Sequence, residues 1–212
     1  LSEAARIASA LAGPEWILAH RQTAARGRRG RGWAMPEGNF AATLVMPLDE
    51  QPGQAALRSF VASLALRDAF VAVSGREAAF ALKWPNDVLL RGDKVAGILL
   101  ESVSAGAGVT HLAIGIGVNL AKAPKPAMVE PDAVRPVALK AALGVDVTPE
   151  AFLGHLARAY ARLEEQFRVY GFAPIRTEWL AHAARLGQPI KARTTRETYY
   201  GTFAEVDGDG QL

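Results

Sequence analysis

Four arginines, Arg26, Arg28, Arg29 and Arg31, are interleaved with Gly27, Gly30 and Gly32 and followed by Trp33. Guanidinium groups are planar forks that match phosphate or carboxylate oxygens, and glycines between them let the backbone approach an anion closely. Such a cationic loop suits the handling of an anionic small molecule. Taken alone, it fits a solvated basic loop or an RG-rich nucleic-acid tract equally well. Further along, Lys83-Trp84-Pro85-Asn86-Asp87 and Lys94-Val95-Ala96-Gly97-Ile98-Leu99 add two ammonium groups, a carboxylate and an amide around a turn fixed by proline. The segment Ile114-Gly115-Ile116-Gly117-Val118-Asn119 brings glycines that permit close approach of a ligand. It lacks the third glycine and the helix start of a dinucleotide-binding fingerprint.

In order and spacing, the first three segments resemble the biotin protein ligases, whose pattern reads Gly-Arg-Gly-Arg-x-Gly-Arg-x-Trp, then Lys-Trp-Pro-Asn-Asp, then Lys-x-x-Gly-Ile-Leu. Ala25 stands where that pattern begins with glycine. The resemblance runs from about Ser2 to the last residues and implies an ATP-dependent ligase. Such an enzyme activates biotin as biotinyl-5′-AMP and transfers it to a lysine of a biotin carboxyl carrier protein. It implies that Gln22 lies beside the biotin head, that Arg26 and Arg28 contact the biotinyl-adenylate, and that Arg29 and Arg31 meet phosphate or acids elsewhere. Trp33 would cover the ligand, Lys83 would face the triphosphate, and Asn86 would hydrogen-bond nearby. Asp87 would order the ligand or a Mg²⁺ arriving with ATP, Lys94 would face the biotin carboxylate and α-phosphate, and Asn119 would lie on the adenine side. Gly27, Asn39, Gly97, Gly115 and Gly117 complete the implied binding set, within which Lys94, Arg28 and Lys83 are the catalytic residues.

By the same resemblance, ATP with Mg²⁺ and biotin are the small-molecule partners, the carrier protein is the macromolecular one, and no tightly bound prosthetic group is expected. A homodimer is left open. A lipoate or octanoate transferase of the same fold class also acts on a carrier lysine, but lacks the arginine-glycine run paired with Lys-Trp-Pro-Asn-Asp. A nucleic-acid-binding protein would carry interleaved exposed aromatics and further basic patches.

Composition agrees with a soluble enzyme. The chain has 212 residues, half of them hydrophobic, a net charge of +3 and no cysteine, so disulfides, thiolate metal sites and thiol nucleophiles are excluded. His20, His111, His155 and His182 show no metal-ligand spacing. No apolar run approaches the roughly 20 residues of a bilayer span and no signal-like segment opens the chain, so a cytoplasmic protein without membrane or DNA partners is expected. The absence of a winged-helix region before the core argues in the same direction.

The elements that must position these residues can be read from periodicity. A helix capped by Ser2 is expected over 2–11, then strands over 16–20 and 39–46, with Pro47 closing the second. Residues 54–73 carry Leu57, Phe60, Val61, Leu64 and Phe70 at helical spacing, with Arg58, Arg67 and Asp68 turned outward. Two hairpins follow, 79–84 with 87–90 and 95–103 with 109–120, turning at 91–93 and 104–108. Residues 121–136 read as a proline-rich loop. Helices are expected over 137–143, 149–170 and 173–186, then strands over 190–194 and 199–206, and a turn at 207–210. The fold class is α+β. The resemblance implies a catalytic core like that of class II aminoacyl-tRNA synthetases, with a mixed, largely antiparallel sheet, over residues 1–187. Residues 188–212 would begin a C-terminal SH3-like β domain that is incomplete in this sequence.

Overall fold

A computed structural model describes residues 1–30, 32–105, 108–125, 133–193 and 197–212, apart from the side chains of Arg29, Val103, Ser104, Ala105 and Arg193. Six strands form one antiparallel sheet: β1 (Glu15–Leu18), β2 (Phe40–Glu50), β3 (Phe80–Lys83), β4 (Asp87–Leu90), β5 (Asp93–Ala105) and β6 (Gly108–Val118), in the order β1-β2-β6-β5-β4-β3. The short connections at 84–86 and 91–92 permit only antiparallel pairing. Arg91 and Gly92 both take positive φ, at 52° and 90°, as a two-residue hairpin turn requires. β2 does not end at Pro47. By that residue β1 has already ended, so on that side no ladder bond is asked of the proline, and the strand continues to Glu50 with a slip in its register against β6.

Alternation gives the sheet two unlike faces. Phe40, Ala42, Leu44 and Met46 of β2, with Leu112, Ile114, Ile116 and Val118 of β6, face a large buried cluster. It is completed by α3 (Arg58–Ser74), α5 (Pro149–Tyr170) and α6 (Phe172–Ala181). The opposite face carries Ala41, Thr43 and Val45 next to Gly117, Gly115 and Ala113. There α1 (Ser2–Ile7) and the 3₁₀ turn after it cover one end, packing Ala4 and Ala8 on Val45 and Ala113.

The helix over 149–170 has the expected bounds. Pro149 sits at its start, Thr148 Oγ1 accepts from the Ala151 amide at 3.2 Å, and Phe152, Leu156, Tyr160, Leu163 and Phe167 are all buried. The helical segment before β3 is instead two pieces, α2 (Pro52–Ala56) and α3, joined at Leu57. Its arginines do not turn outward. Arg58 is 1% exposed, its guanidinium held by Glu50 at 2.6 and 2.9 Å and by Glu164 of α5 at 2.9 Å, and Arg67 is buried with one Nη on Glu77 at 3.0 Å. α3 lies between the sheet and α5 and α6, so it has no fully solvated side on which to place them.

Other boundaries shift modestly. Ser2 is the first helical residue, and Leu1 precedes it without a side-chain cap. The helix over 173–186 stops at Ala181, and α4 is Leu139–Leu143. β7 (Pro189–Arg193) and β8 (Thr198–Thr202) form a separate two-stranded sheet, after which Phe203 and Val206 return to the main cluster. In the proline-rich loop, Pro136 bridges to Lys94 in parallel, while 126–132 and part of the 104–108 turn lie outside the described residues.

Candidate active site

The second face of the sheet has, around Ala41, Gly97, Gly115 and Gly117, a floor with almost no side-chain bulk. Register places Ala41, Gly117, Gly97 and Asp87 in one row across β2, β6, β5 and β4, and Thr43, Gly115 and Leu99 in the next. Trp33 lies over this floor. A methyl group on Gly117 would come within 2.6 Å of the indole, and one on Gly97 within 3.3 Å, so the glycines are what let the ring approach the backbone. The side chain of Leu1 makes the same use of Gly115, at 3.1 Å.

A bulge brings the lysine of β5 to this face. Val88 pairs with Ala96 but Leu89 pairs with Lys94, so Val95 is the extra residue. Strict alternation would put Lys94 and Gly97 on opposite faces; the bulge puts both on the floor side. Lys94 is then fixed from its other edge, its amide donating to the Arg135 carbonyl at 2.8 Å and its carbonyl accepting from Val137 at 2.9 Å.

Lys94 Nζ stands 2.6 Å from Asp87 Oδ1 and 5.5 Å from the centre of the Trp33 ring, and Lys83 Nζ is 3.3 Å from Asp87 Oδ2. Asp87 is 8% exposed and carries both ammonium groups. The approach of Lys94 is a close ion pair without hydrogen-bond direction, which leaves Oδ1 short of a directional donor. Two cations on one carboxylate leave an excess positive charge at the floor's edge. The turn that carries Asp87 is held from several sides. Asn86 Nδ2 donates to the Ile98 carbonyl at 2.6 Å, Ser59 Oγ donates to the Pro85 carbonyl at 2.9 Å, and Trp84 Nε1 donates to the Gly210 carbonyl at 3.0 Å. The Trp84–Pro85 peptide is cis.

The arginine loop is pinned at its base. Arg26 bridges to Gly32, the Trp33 amide donates to the Ala25 carbonyl at 3.1 Å, and residues 28–30 make a single 3₁₀ turn. Arg26 forks onto Glu101 of β5 at 3.0 and 2.8 Å, whereas Arg28 Nη1 reaches toward Asn86 Oδ1 at 3.5 Å. Glu101 escaped the sequence reading, though it falls on the same face as Gly97 and Leu99 by simple alternation. Thr43 on the floor and Ser59 behind the turn were missed as well. Asn39 and Asn119 sit at the floor's end, 3% and 1% exposed. Asn39 Oδ1 accepts from the amides of Ala121 and Lys122 at 3.0 Å, and its Nδ2 donates to the Lys122 carbonyl at 2.8 Å and faces Asn119 Oδ1 at 3.5 Å. Gly27 and Gln22 belong to the half-buried entry to the loop. Arg31 and the side chain of Arg29 lie outside the described residues.

Cations, a buried acid, a flat aromatic roof and a backbone floor therefore converge from segments far apart in sequence. The model of the biotin/lipoate A/B protein ligase family matches residues 5–119, the stretch that supplies all of these groups. The chain belongs to this family. Over 211 residues it is 54% identical to the biotin–[acetyl-CoA-carboxylase] ligase of Paracoccus denitrificans, covering 100% of this chain and 88% of that protein. It is 32% identical over 207 residues to the bifunctional ligase/repressor BirA of Bacillus subtilis, covering 92% of this chain but 60% of that longer protein. The structure of biotin protein ligase from Aquifex aeolicus in complex with biotin and ATP superposes with a TM-score of 0.75 at 26% identity, covering 92% of this chain and 79% of that one. Within the ligase family, then, the α+β fold and the largely antiparallel sheet are as the sequence implied.

Proposed function

We propose that this chain joins the biotin carboxylate to AMP and then passes the biotinyl group to a lysine of a biotin carboxyl carrier protein. In the first step a carboxylate oxygen attacks the α-phosphorus of ATP and pyrophosphate leaves. In the second the carrier's amine attacks the anhydride carbonyl, AMP leaves, and the amine's proton is lost. Both reactants of the first step are anions, so the protein's chief task is to neutralise charge while holding the attacking oxygen in line.

The observation that carries this reading is the Lys94–Asp87–Lys83 cluster at the edge of a glycine floor roofed by Trp33. Lys94, nearest the indole, is suited to the carboxylate and α-phosphate, and Lys83, more exposed, to the outgoing pyrophosphate. Asp87 holds both lysines until the phosphates take its place. Arg28, projecting over Asn86, closes the charged side, and Trp33 excludes water from the anhydride. Among the described residues no group of three or more His, Cys, Asp or Glu side chains converges, so Mg²⁺ would arrive on the ATP phosphates with Asp87 as its single protein carboxylate. Bound there, it would further neutralise the triphosphate.

The relatives' names and the biotin and ATP in the Aquifex structure support the choice of substrates. We read residues 1–187 as the catalytic domain, of the class II synthetase type, and 188–212 as the start of an SH3-like domain. The separate sheet of β7 and β8 supports that division. Among the described residues no helix is long and apolar enough to cross a membrane, in keeping with a cytoplasmic enzyme.

The test is to incubate the chain with biotin, Mg-ATP and a biotin-accepting carrier domain. Biotin-dependent pyrophosphate release and labelling of one carrier lysine are expected. A salt-dependent nucleic-acid shift without any such turnover would overturn the reading.

A further inference from the structure

The Asp207-Gly208-Asp209-Gly210 turn looks from sequence like an ordinary hairpin turn, and nothing in the proposed chemistry uses it. In the fold it is closed on itself: Asp207 Oδ1 accepts from the amides of Asp209 and Gln211 at 2.9 and 2.8 Å, and the Asp207 amide donates to the Gln211 carbonyl at 2.9 Å. Its apex is buried. Gly210 has a φ of +77°, and a methyl group there would meet Leu57 and Phe60 of the α2–α3 segment at 2.9 Å, so both backbone conformation and space demand glycine. The carbonyl so delivered accepts from Trp84 Nε1, in the middle of the Lys83–Asp87 turn. Phe203 and Val206 anchor the approach to this turn in the main core, and Arg176 donates to the Val206 carbonyl.

We propose that the 207–210 turn is a brace for the site, and that Trp84 is the positioning residue through which it sets Lys83 and Asp87. Trp84 and Pro85 are gripped from two directions, by Gly210 and by Ser59 of α3, whose hydroxyl donates to the Pro85 carbonyl. Lys83 and Asp87, on either side of Trp84-Pro85-Asn86, project the ammonium and the carboxylate. With the Trp84 contact gone, the described hydrogen bonds that tie residues 84–86 to the rest of the fold are those of Ser59 and Asn86, and the separation of Lys83 from the row of Asp87 and Gly97 is less well defined. This inference rests on the proposed ligase reading for its kinetics, but not for its structural readout.

The experiment compares Trp84→Phe, which keeps a ring but removes the donor, and Gly210→Ala with Gly208→Ala, a change on the same turn where nothing lies within 4 Å. Amide exchange at 86–88 and at Ile98 is measured on each full chain, together with KM for ATP and for biotin in pyrophosphate release. Trp84→Phe should speed exchange at those amides and raise KM for ATP about five- to tenfold, with KM for biotin within about twofold. Gly210→Ala should act in the same direction more strongly, and Gly208→Ala should match the parent. Unchanged exchange and KM in Trp84→Phe would overturn the brace, as would faster exchange across the whole sheet with equal loss for both substrates. If the parent turns over no biotin with ATP, the ligase reading falls, and exchange at 86–88 alone decides the brace.

Discussion

The two faces of the six-stranded sheet are built from the same strands and do opposite work. Toward α3 and α5 the side chains are large and apolar, from Phe40 and Leu44 to Ile114 and Ile116, and even the deeply buried charges around Arg58 are closed on themselves. There Arg58 is shared by Glu50 and Glu164, and Tyr160 donates to Glu164 at 3.2 Å. Toward the arginine loop the same strands offer alanine, threonine and glycine, and the charges at the rim are lysines that share one carboxylate. Bulk on the first face stabilises the fold; its absence on the second lets the Trp33 indole and the Leu1 side chain lie against the strand backbone. A substitution should therefore register in stability on one face and in turnover on the other.

The largest effect is expected in the helix-side network. Arg58→Met leaves Glu164 buried beside Tyr160 without its cation, and removing one partner of a buried pair typically costs about 3–5 kcal/mol. Burial already pushes the Glu164 carboxyl above its ordinary value of 4.5, against the opposing pull of Arg58, and the variant should push it further. A raised folded-state pKa means that this group's penalty grows as pH rises through it and vanishes below the unfolded value. Urea unfolding should thus show the greatest loss at neutral pH and convergence of variant and parent as pH falls toward 4.5. A loss independent of pH would mean that Glu164 is not the group left uncompensated.

On the ligand side, Arg28→Gly removes a guanidinium that reaches over Asn86 and should leave stability nearly untouched. An arginine–phosphate contact worth about 1.5 kcal/mol corresponds to a roughly tenfold faster escape of the adenylate. Labelling of an unrelated lysine-rich protein, measured against the true carrier, should rise accordingly. No rise with adenylate formation intact would restrict Arg28 to substrate binding.

The smallest expected effect sharpens the contrast most. Gly117→Ala adds one methyl to a strand position with ordinary backbone geometry, and its only demand is that Trp33 move off the floor. Thermal stability should change by no more than about 1 kcal/mol, while adenylate formation should fall about fivefold. Loss of stability without loss of turnover would reverse the assignment of that face.

The two faces were not read from the sequence, though many of the elements and motif residues that build them were, and the gaps have a common cause. The helix over 149–170 could be bounded from its proline, its capping threonine and a one-sided apolar stripe, all of them local signals. The clustering of Lys83, Asp87, Trp33 and Lys94 followed from motifs in a familiar order. Arg58 was misplaced because helical periodicity cannot see that Glu164, 106 residues away, supplies a buried partner, and Arg67 because it cannot see that neighbouring elements cover that side of α3. The bulge at Val95 that turns Lys94 onto the floor follows from pairing across two strands, not from the alternation within one. Arg26 was read as a ligand contact; in the structure its fork lies on Glu101 and ties the base of the loop to β5, a partner that the sequence reading did not name, while Arg28 reaches toward Asn86 of the Lys83–Asp87 turn.

Lys94→Ala tests the central claim most directly. The lysine sits near the start of β5, its side chain 27% exposed, and contributes little to the core, but its ammonium stands beside Asp87 where phosphate charge would develop. Biotin-dependent pyrophosphate release and the thermal midpoint should be measured on parent and variant together. An ammonium aimed at transition-state charge is worth about 3 kcal/mol, so release should fall roughly a hundredfold while the midpoint stays within a few degrees. Release at the parent rate would contradict the account, since the cation cluster on the small-residue face would then not be where the anions meet.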